Sequence, residues 1–172
     1  MLGKILKVLR KMLVDVETAA VIRKDAATAL VGHLLNSSEE GYFVVTMPAT
    51  HGMLVKYSTI MPYECTIQSF AGHTITPETG EAWPMRNRYL GADASKFFDV
   101  IKDPTVTDEG VELTSATYGE KSKAGAEAGS SWFYIPAGLS ILFKYTSGAA
   151  ANNIVTRVDA QLVPGMHEHD VS

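Results

Sequence analysis

From Leu2 to Val16 the apolar positions are Leu2, Ile5, Leu6, Val8, Leu9, Met12, Leu13 and Val16, most of them three or four apart, with Lys4, Lys7, Arg10 and Lys11 between them. Side chains at those spacings share one face of a helix, so the pattern predicts an amphipathic helix with a cationic flank. The next stretch, Asp15 to Leu35, is rich in alanine, free of proline and carries Val21, Ile22, Ala26, Leu30, Val31 and Leu34. It predicts a second helical segment or an extension of the first. Its stop is set at Asn36, Ser37 and Ser38, whose side chains compete for backbone hydrogen bonds.

After Gly41 the period shortens. Tyr42 to Met47, Met53 to Tyr57 and Cys65 to Phe70 are β-branched and aromatic runs, separated by turn-prone pairs such as His51-Gly52 and Met61-Pro62, and they predict strands. Ala92 to Lys102 (ADASKFFDVIK) returns to helical spacing, with Phe97, Phe98 and Ile101 as anchors, Asp93 or Ser95 as cap and Pro104 as the stop. Thr105 to Tyr118 alternates, which places Val106, Val111 and Leu113 on the buried side of a strand. Gly119 to Ser131 (GEKSKAGAEAGSS) holds no large apolar residue and predicts an exposed loop.

The C-terminal third carries the clearest pattern. Trp132 to Ile135, the turn Pro136-Ala137-Gly138, Leu139 to Tyr145, the loop Thr146 to Asn153 and Ile154 to Val163 follow in order. In the last run Ile154, Thr156, Val158, Ala160 and Leu162 alternate with Val155, Arg157, Asp159 and Gln161, so one face is mostly apolar and the other largely polar. The last two runs, joined by a loop of small residues and asparagines, predict a hairpin. Together these elements predict a mainly β protein, an antiparallel β-sandwich with an N-terminal amphipathic helical segment. The arm is drawn over residues 1–38, the β domain over 39–165 and a polar tail over 166–172.

Composition narrows the function classes. A chain of 172 residues has room for one ordinary domain and an appendage, and 46% hydrophobic with 20% charged residues is a composition that folds. A net charge of −4 argues against nucleic acid as the main ligand, because duplex binding draws on a broad cationic surface. The positive charge is local: four cations precede the first acidic residue, Asp15. The single cysteine, Cys65, excludes an internal disulfide and a multi-cysteine metal site, and fits synthesis in a reducing compartment. The apolar runs fall short of the roughly 18 to 20 residues that cross a bilayer. Lys and Arg recurring through residue 11 interrupt the apolar stretch a secretory signal needs.

Catalytic signatures are missing: there is no GxSxG, P-loop, GxGxxG or HExxH. The sequence therefore implies no enzyme and no cofactor. Cys65 has His51 and His73 near it in sequence but lies in a predicted strand, where a lone cysteine packs. His167 and His169, flanked by Glu168 and Asp170, have the chemistry of metal ligands but stand on the polar tail, and no metal site is assigned to them. His33, His51 and His73 are scattered and read as hydrogen-bonded or surface histidines.

Two segments have the chemistry of contact surfaces. Trp83, Arg86, Arg88 and Tyr89 form an aromatic-and-arginine cluster within ETGEAWPMRNRY, a mixture enriched at protein interfaces and equally able to cover a sheet edge. Leu2, Ile5, Leu6, Leu9 and Leu13 are the apolar face of the arm. That face could lie on an anionic membrane, pack on another copy or a partner, or cap its own β domain. The first forty positions contain no aromatic residue, which weighs against membrane anchoring.

The polar loop Gly119 to Ser131, the strand Trp132 to Ile135 entering the turn Ile135 to Gly138 (IPAG), the strand Leu139 to Tyr145, the loop TSGAAANN and the final strand Ile154 to Leu162 together resemble the closing strands of small jelly-roll domains in tailed-bacteriophage virions. The likeness is especially to capsid decoration (cement) proteins. The resemblance implies a jelly-roll that sits on a capsid shell, often as a trimer at threefold positions, and stabilises it by bridging neighbouring capsid subunits. Its implied partners are the major capsid protein or other virion proteins and further copies of itself, with no catalytic residue and no cofactor. The helical N-terminus departs from the simplest members and would suit a portal-neck, tail or head-fibre component. From another class, a carbohydrate-binding β-sandwich would use Trp83 and Tyr89 as a sugar platform. A cupin-type enzyme would need histidines paired within a strand, a pattern this sequence lacks.

Overall fold

The computed structural model of the chain describes residues 26–87, 98–119, 126–129 and 132–162, with residues 85–87 and 126–127 described by their backbone alone. Among these residues the strands are β1 (Ala26–Leu35), β2 (Glu40–Thr46), β3 (Met53–Met61), β4 (Cys65–Ala71), β5 (Thr74–Thr76), β6 (Glu81–Ala82), β7 (Met85–Asn87), β8 (Asp99–Lys102) and β9 (Thr105–Asp108). They continue with β10 (Val111–Tyr118), β11 (Ala126–Gly129), β12 (Phe133–Ile135), β13 (Ser140–Ser147) and β14 (Asn152–Gln161). One 3-10 turn, Pro77–Thr79, joins β5 to β6.

All pairings are antiparallel and the principal ones are nested. β1 pairs with β14, β2 with β13, β3 with β12 and β11, and β4 with β10. Successive pairs alternate between two sheets. The first runs β11-β3-β14-β1-β7 with β12 also on β3, and the second runs β10-β4-β13-β2-β8-β6. The segment between β4 and β10 supplies β7 to the free side of β1 and β8 with β6 to the free side of β2. It thereby covers strand edges that would otherwise be open to foreign pairing. Its β5 and β9 pair with each other.

The two-residue period decides what is buried. In β14, Ile154, Thr156, Val158 and Ala160 face the core, as the alternation predicts, and β13 turns Ile141, Phe143 and Tyr145 toward them from the other sheet. Phe43 stacks on Phe143 at a centroid distance of 4.6 Å, and Tyr57 meets Phe143 edge-on at 5.2 Å. Three core hydroxyls satisfy one another: Thr59 Oγ1 lies 2.8 Å from Thr156 Oγ1, which also bonds the Tyr145 hydroxyl from the other sheet. A second, smaller core lies on the outer face of the second sheet, where Val44, Phe70 and Leu142 are covered by Ile75 of β5 and Val106 of β9.

Several expectations change. The helical reading of 15–35 fails over 26–35, which is β1, ten residues long and paired with β14 along its whole length. Its inward Ala27, Ala29, Val31, His33 and Leu35 are buried, while Leu30 and Leu34 point the other way. The helix drawn over 92–102 fails at 99–102, which is β8, paired with β2. The expected hairpin of the last two strands does not form, because β13 and β14 lie in different sheets and the loop between them crosses the sandwich. Val111 and Leu113 are exposed, since β10 ends its sheet and a register shift between Glu112 and Thr114 breaks the alternation there. The loop 119–131 contains β11, with Ala128 buried against the core. Residues 1–25, with Leu2, Ile5, Leu6, Leu9 and Leu13, and the tail 166–172, lie outside the described residues.

Candidate protein-interaction surface

Trp83 follows β6 at the side of the sandwich where β1 and β8 run close. Its backbone N–H donates to the Val100 carbonyl in the second sheet at 2.8 Å, and its indole N–H donates to the Leu30 carbonyl in the first. Lys102 Nζ sits 5.1 Å above the ring, and the ring packs against the main core. Trp83 thus ties the two sheets together at a seam. Arg86 lies on β7, opposite Thr28 of β1. The side chain of Arg86, and Arg88 and Tyr89 entirely, lie outside the described residues, so of the predicted cluster the structure brings only Trp83 and the Arg86 backbone to this edge.

The outer face of the first sheet holds a surface that the sequence reading missed. Leu34 is 70% exposed, Ile60 60% and Leu30 57%, and Val155 is exposed between them. The register explains why they meet: Val155 lies opposite Gly32 on one side and Ile60 on the other, with Leu34 and Leu30 two positions along β1 in either direction. At roughly 3.3 Å per residue and 4.8 Å per strand the patch measures about 13 by 10 Å. Beyond the Leu30–Arg157 row the same face is closed, with Asp159 buried and paired to Arg157 Nε at 3.0 Å. Exposed apolar side chains grouped in this way mark a contact site more often than scattered ones do.

Leu34 also borders a recess of about 320 Å³ whose wall includes Glu39, Glu40, Lys102 and Asp103. Lys144 Nζ bridges Glu40 Oε1 at 2.9 Å and Glu109 Oε1 at 2.8 Å, and the Tyr42 hydroxyl lies 2.6 Å from Glu40 Oε2. His33 Nε2 is 3.1 Å from both Asp103 Oδ1 and the Tyr42 carbonyl; both are acceptors, so this nitrogen carries the proton. The Tyr42 hydroxyl, with help from Lys144, holds the Glu40 carboxyl below its usual range despite some burial. Burial works against ionisation of Asp103, yet the hydrogen bonds from His33 and the Tyr42 backbone hold it low as well. Burial alone would lower Lys144, but Glu109 and Glu40 keep its ammonium above the usual range. Four carboxylates, at Glu39, Glu40, Asp103 and Glu109, thus face two ammonium groups, at Lys102 and Lys144. The locality is acidic.

Groups with catalytic chemistry are dispersed. Burial pushes the Cys65 thiol up to about 12, and its Sγ donates to the Thr66 carbonyl at 3.5 Å, in keeping with a packing role. His51 pairs with Thr50 and His73 with Ser140, neither joined to Cys65. Among the described residues no group of three or more His, Cys, Asp and Glu is placed to hold a metal ion, and no helix is long and apolar enough to cross a membrane. Between the sheets near β10 an apolar cavity of about 280 Å³ opens beside Leu113, Phe133 and Phe143. In its lining the Ser69 and Thr114 hydroxyls bond each other at 2.7 Å.

No protein-family model matches the chain, and no curated protein matches it in sequence. Among solved structures it is similar to the Yersinia pseudotuberculosis-derived mitogen, at 12% identity and a TM-score of 0.35, over 83% of this chain and 92% of that one. The Broad Bean Stain Virus structure aligns at 6% identity and a TM-score of 0.31, over 82% of this chain and 85% of that one. The infectious bursal disease virus Gx strain structure aligns at 13% identity and a TM-score of 0.13, covering 80% of this chain and 42% of that one. At these scores the functional reading rests on the chain's own geometry.

Proposed function

We propose that this chain is a non-enzymatic structural protein of a virus particle, a jelly-roll that binds the assembled shell as a decoration protein and stabilises it. The observation that carries the reading is the nested pairing of β1 with β14, β2 with β13, β3 with β12 and β11, and β4 with β10, with successive pairs in opposite sheets. One long antiparallel ribbon wound in this way gives two Greek keys, the jelly-roll arrangement used by capsid proteins, lectins and cupins.

The fold alone does not choose among these, so the choice falls to surface chemistry. A cupin-type site would need converging ligands, and His33, His51 and His73 bond to unrelated partners. A sugar platform at Trp83 would need a free indole, and this one is committed to Leu30 and lies beneath Lys102. The open apolar patch around Leu34 suits a protein partner. Stabilisation then follows from mass action: a protein that binds only the assembled lattice shifts the assembly equilibrium toward it, most strongly as a homo-oligomer that touches several capsid subunits at once.

The test is antibody labelling and gradient sedimentation of particles from cells that make the chain. Decoration predicts co-sedimentation with particles and label spread over the shell. Label confined to one vertex or the tail would move the chain to the neck, tail or fibre, and recovery of all the chain in the soluble fraction would overturn a virion role.

A further inference from the structure

We infer that the patch formed by Leu30, Leu34, Val155 and Ile60 receives the N-terminal amphipathic segment of a second copy of this chain. Among the described residues nothing covers Leu34, 70% exposed, or Ile60, 60% exposed. The segment's sequence is complementary. Leu2, Ile5, Leu6, Leu9 and Leu13 are spaced so that a helix would carry them on one side, and its eleven steps from Leu2 to Leu13 would cover about 17 Å at 1.5 Å per residue, against a patch about 13 Å long.

Charge fits as well. Lys4, Lys7, Arg10 and Lys11 flank the apolar stripe, and the recess beside Leu34 presents Glu39, Glu40 and Asp103. The whole chain has 15 Lys and Arg against 19 Asp and Glu; without those four cations, eleven remain against nineteen, a net −8 that attracts the segment to the body of another copy. The side of the face nearest Ala26, where the segment joins β1, is already closed at Asp159, while the open leucines lie farther along the strand. Each copy would give one segment and receive one, a contact that closes into a dimer or a ring.

The inference supplies the self-contact for the homo-oligomer proposed above and rests on that reading for its purpose, but it is measured with no particle present. Two full-length variants test it by light scattering coupled to size exclusion: Leu34→Lys, which spoils the receiving patch, and Leu6→Glu with Leu9→Glu, which spoils the donated segment. Wild type is expected at a multiple of 18.6 kDa and each variant at the monomer mass, with thermal unfolding of Leu34→Lys unchanged because the residue is exposed. An equal mixture of the two variants is expected to regain mass above the monomer, because an intact segment from one meets an intact patch on the other. A monomeric wild type, a Leu34→Lys variant that keeps the wild-type mass, or a mixture that stays monomeric would each overturn the inference. Failure of particle binding with this complementation intact would count against the virion reading alone.

Discussion

Trp83→Ala removes a side chain that holds the two sheets together at the β1–β8 seam. Full truncation of a buried aromatic residue costs roughly 3 to 5 kcal/mol; the ring of Trp83 is only partly buried, so packing contributes about 2. Losing the indole N–H to the Leu30 carbonyl adds about 1 kcal/mol, and losing the Lys102 ammonium above the ring adds about 0.5. The expected total is about 3 to 4 kcal/mol. With a urea slope of about 2 kcal/mol per molar for a chain of this size, the midpoint should fall by about 1.5 to 2 M in a far-ultraviolet circular dichroism titration. Trp83→Phe keeps most of the packing and loses the N–H, so it should cost about 1 to 2 kcal/mol. A loss below 1 kcal/mol for Trp83→Ala, or equal losses for the two variants, would refute the seam argument. An unchanged stability with impaired association would restore Trp83 to an interface.

Further outcomes follow from the same geometry. Glu40 and Asp103 both sit below their ordinary values of 4.5 and 3.8, so the unfolded chain binds more protons in acid than the folded one. Their contribution is therefore present above those values and lost as pH falls through and below them, and denaturant midpoints measured from pH 6 down to pH 3 should decline. A midpoint that stays flat would contradict the network around Tyr42. Gly110 has φ +80°, and a Cβ there would lie 2.3 Å from the Ala71 carbonyl oxygen, so Gly110→Ala should cost at least about 2 kcal/mol, lowering Tm by roughly 4 to 8 °C. Gly32→Ala, where a Cβ meets nothing within 4 Å, should leave Tm unchanged or slightly raised. Cys65 should resist thiol reagents at pH 8 in the folded protein and react at once in urea; rapid labelling of the folded chain would contradict its burial.

The strands from β2 to β4 and from β12 to β14 were legible because their inward positions are β-branched or aromatic and their ends carry turn residues. β1 was not. Its inward positions include Ala27 and Ala29, and its outward positions include Leu30 and Leu34, so the apolar residues satisfy a helical spacing as well as a two-residue one. Only the partner strand β14 decides between them, and that is a tertiary fact. The same outward leucines that hid the strand form the patch, so one misreading concealed both. At 99–102, Phe98, Val100 and Ile101 fit either period, and pairing with β2 selects the strand. The loop between β13 and β14 is visible in the sequence, but its crossing between sheets is not, because a turn residue records where the chain bends and not which strand it joins. Trp83 stands out in the sequence as an aromatic residue beside arginines, while its bond to Leu30, 53 positions away, has no local signature.

The central claim is that this β-sandwich stabilises a shell by binding it, and the most direct measurement adds purified full-length chain to shells of the host particle from which it has been stripped or genetically omitted. The bound fraction and the temperature at which the shells break open are followed together. The account predicts saturable binding at a fixed number of copies per capsid subunit, with a rise in the disruption temperature that grows with free chain concentration. Shells that bind none of the chain, or bind it with no change in disruption temperature, would contradict it.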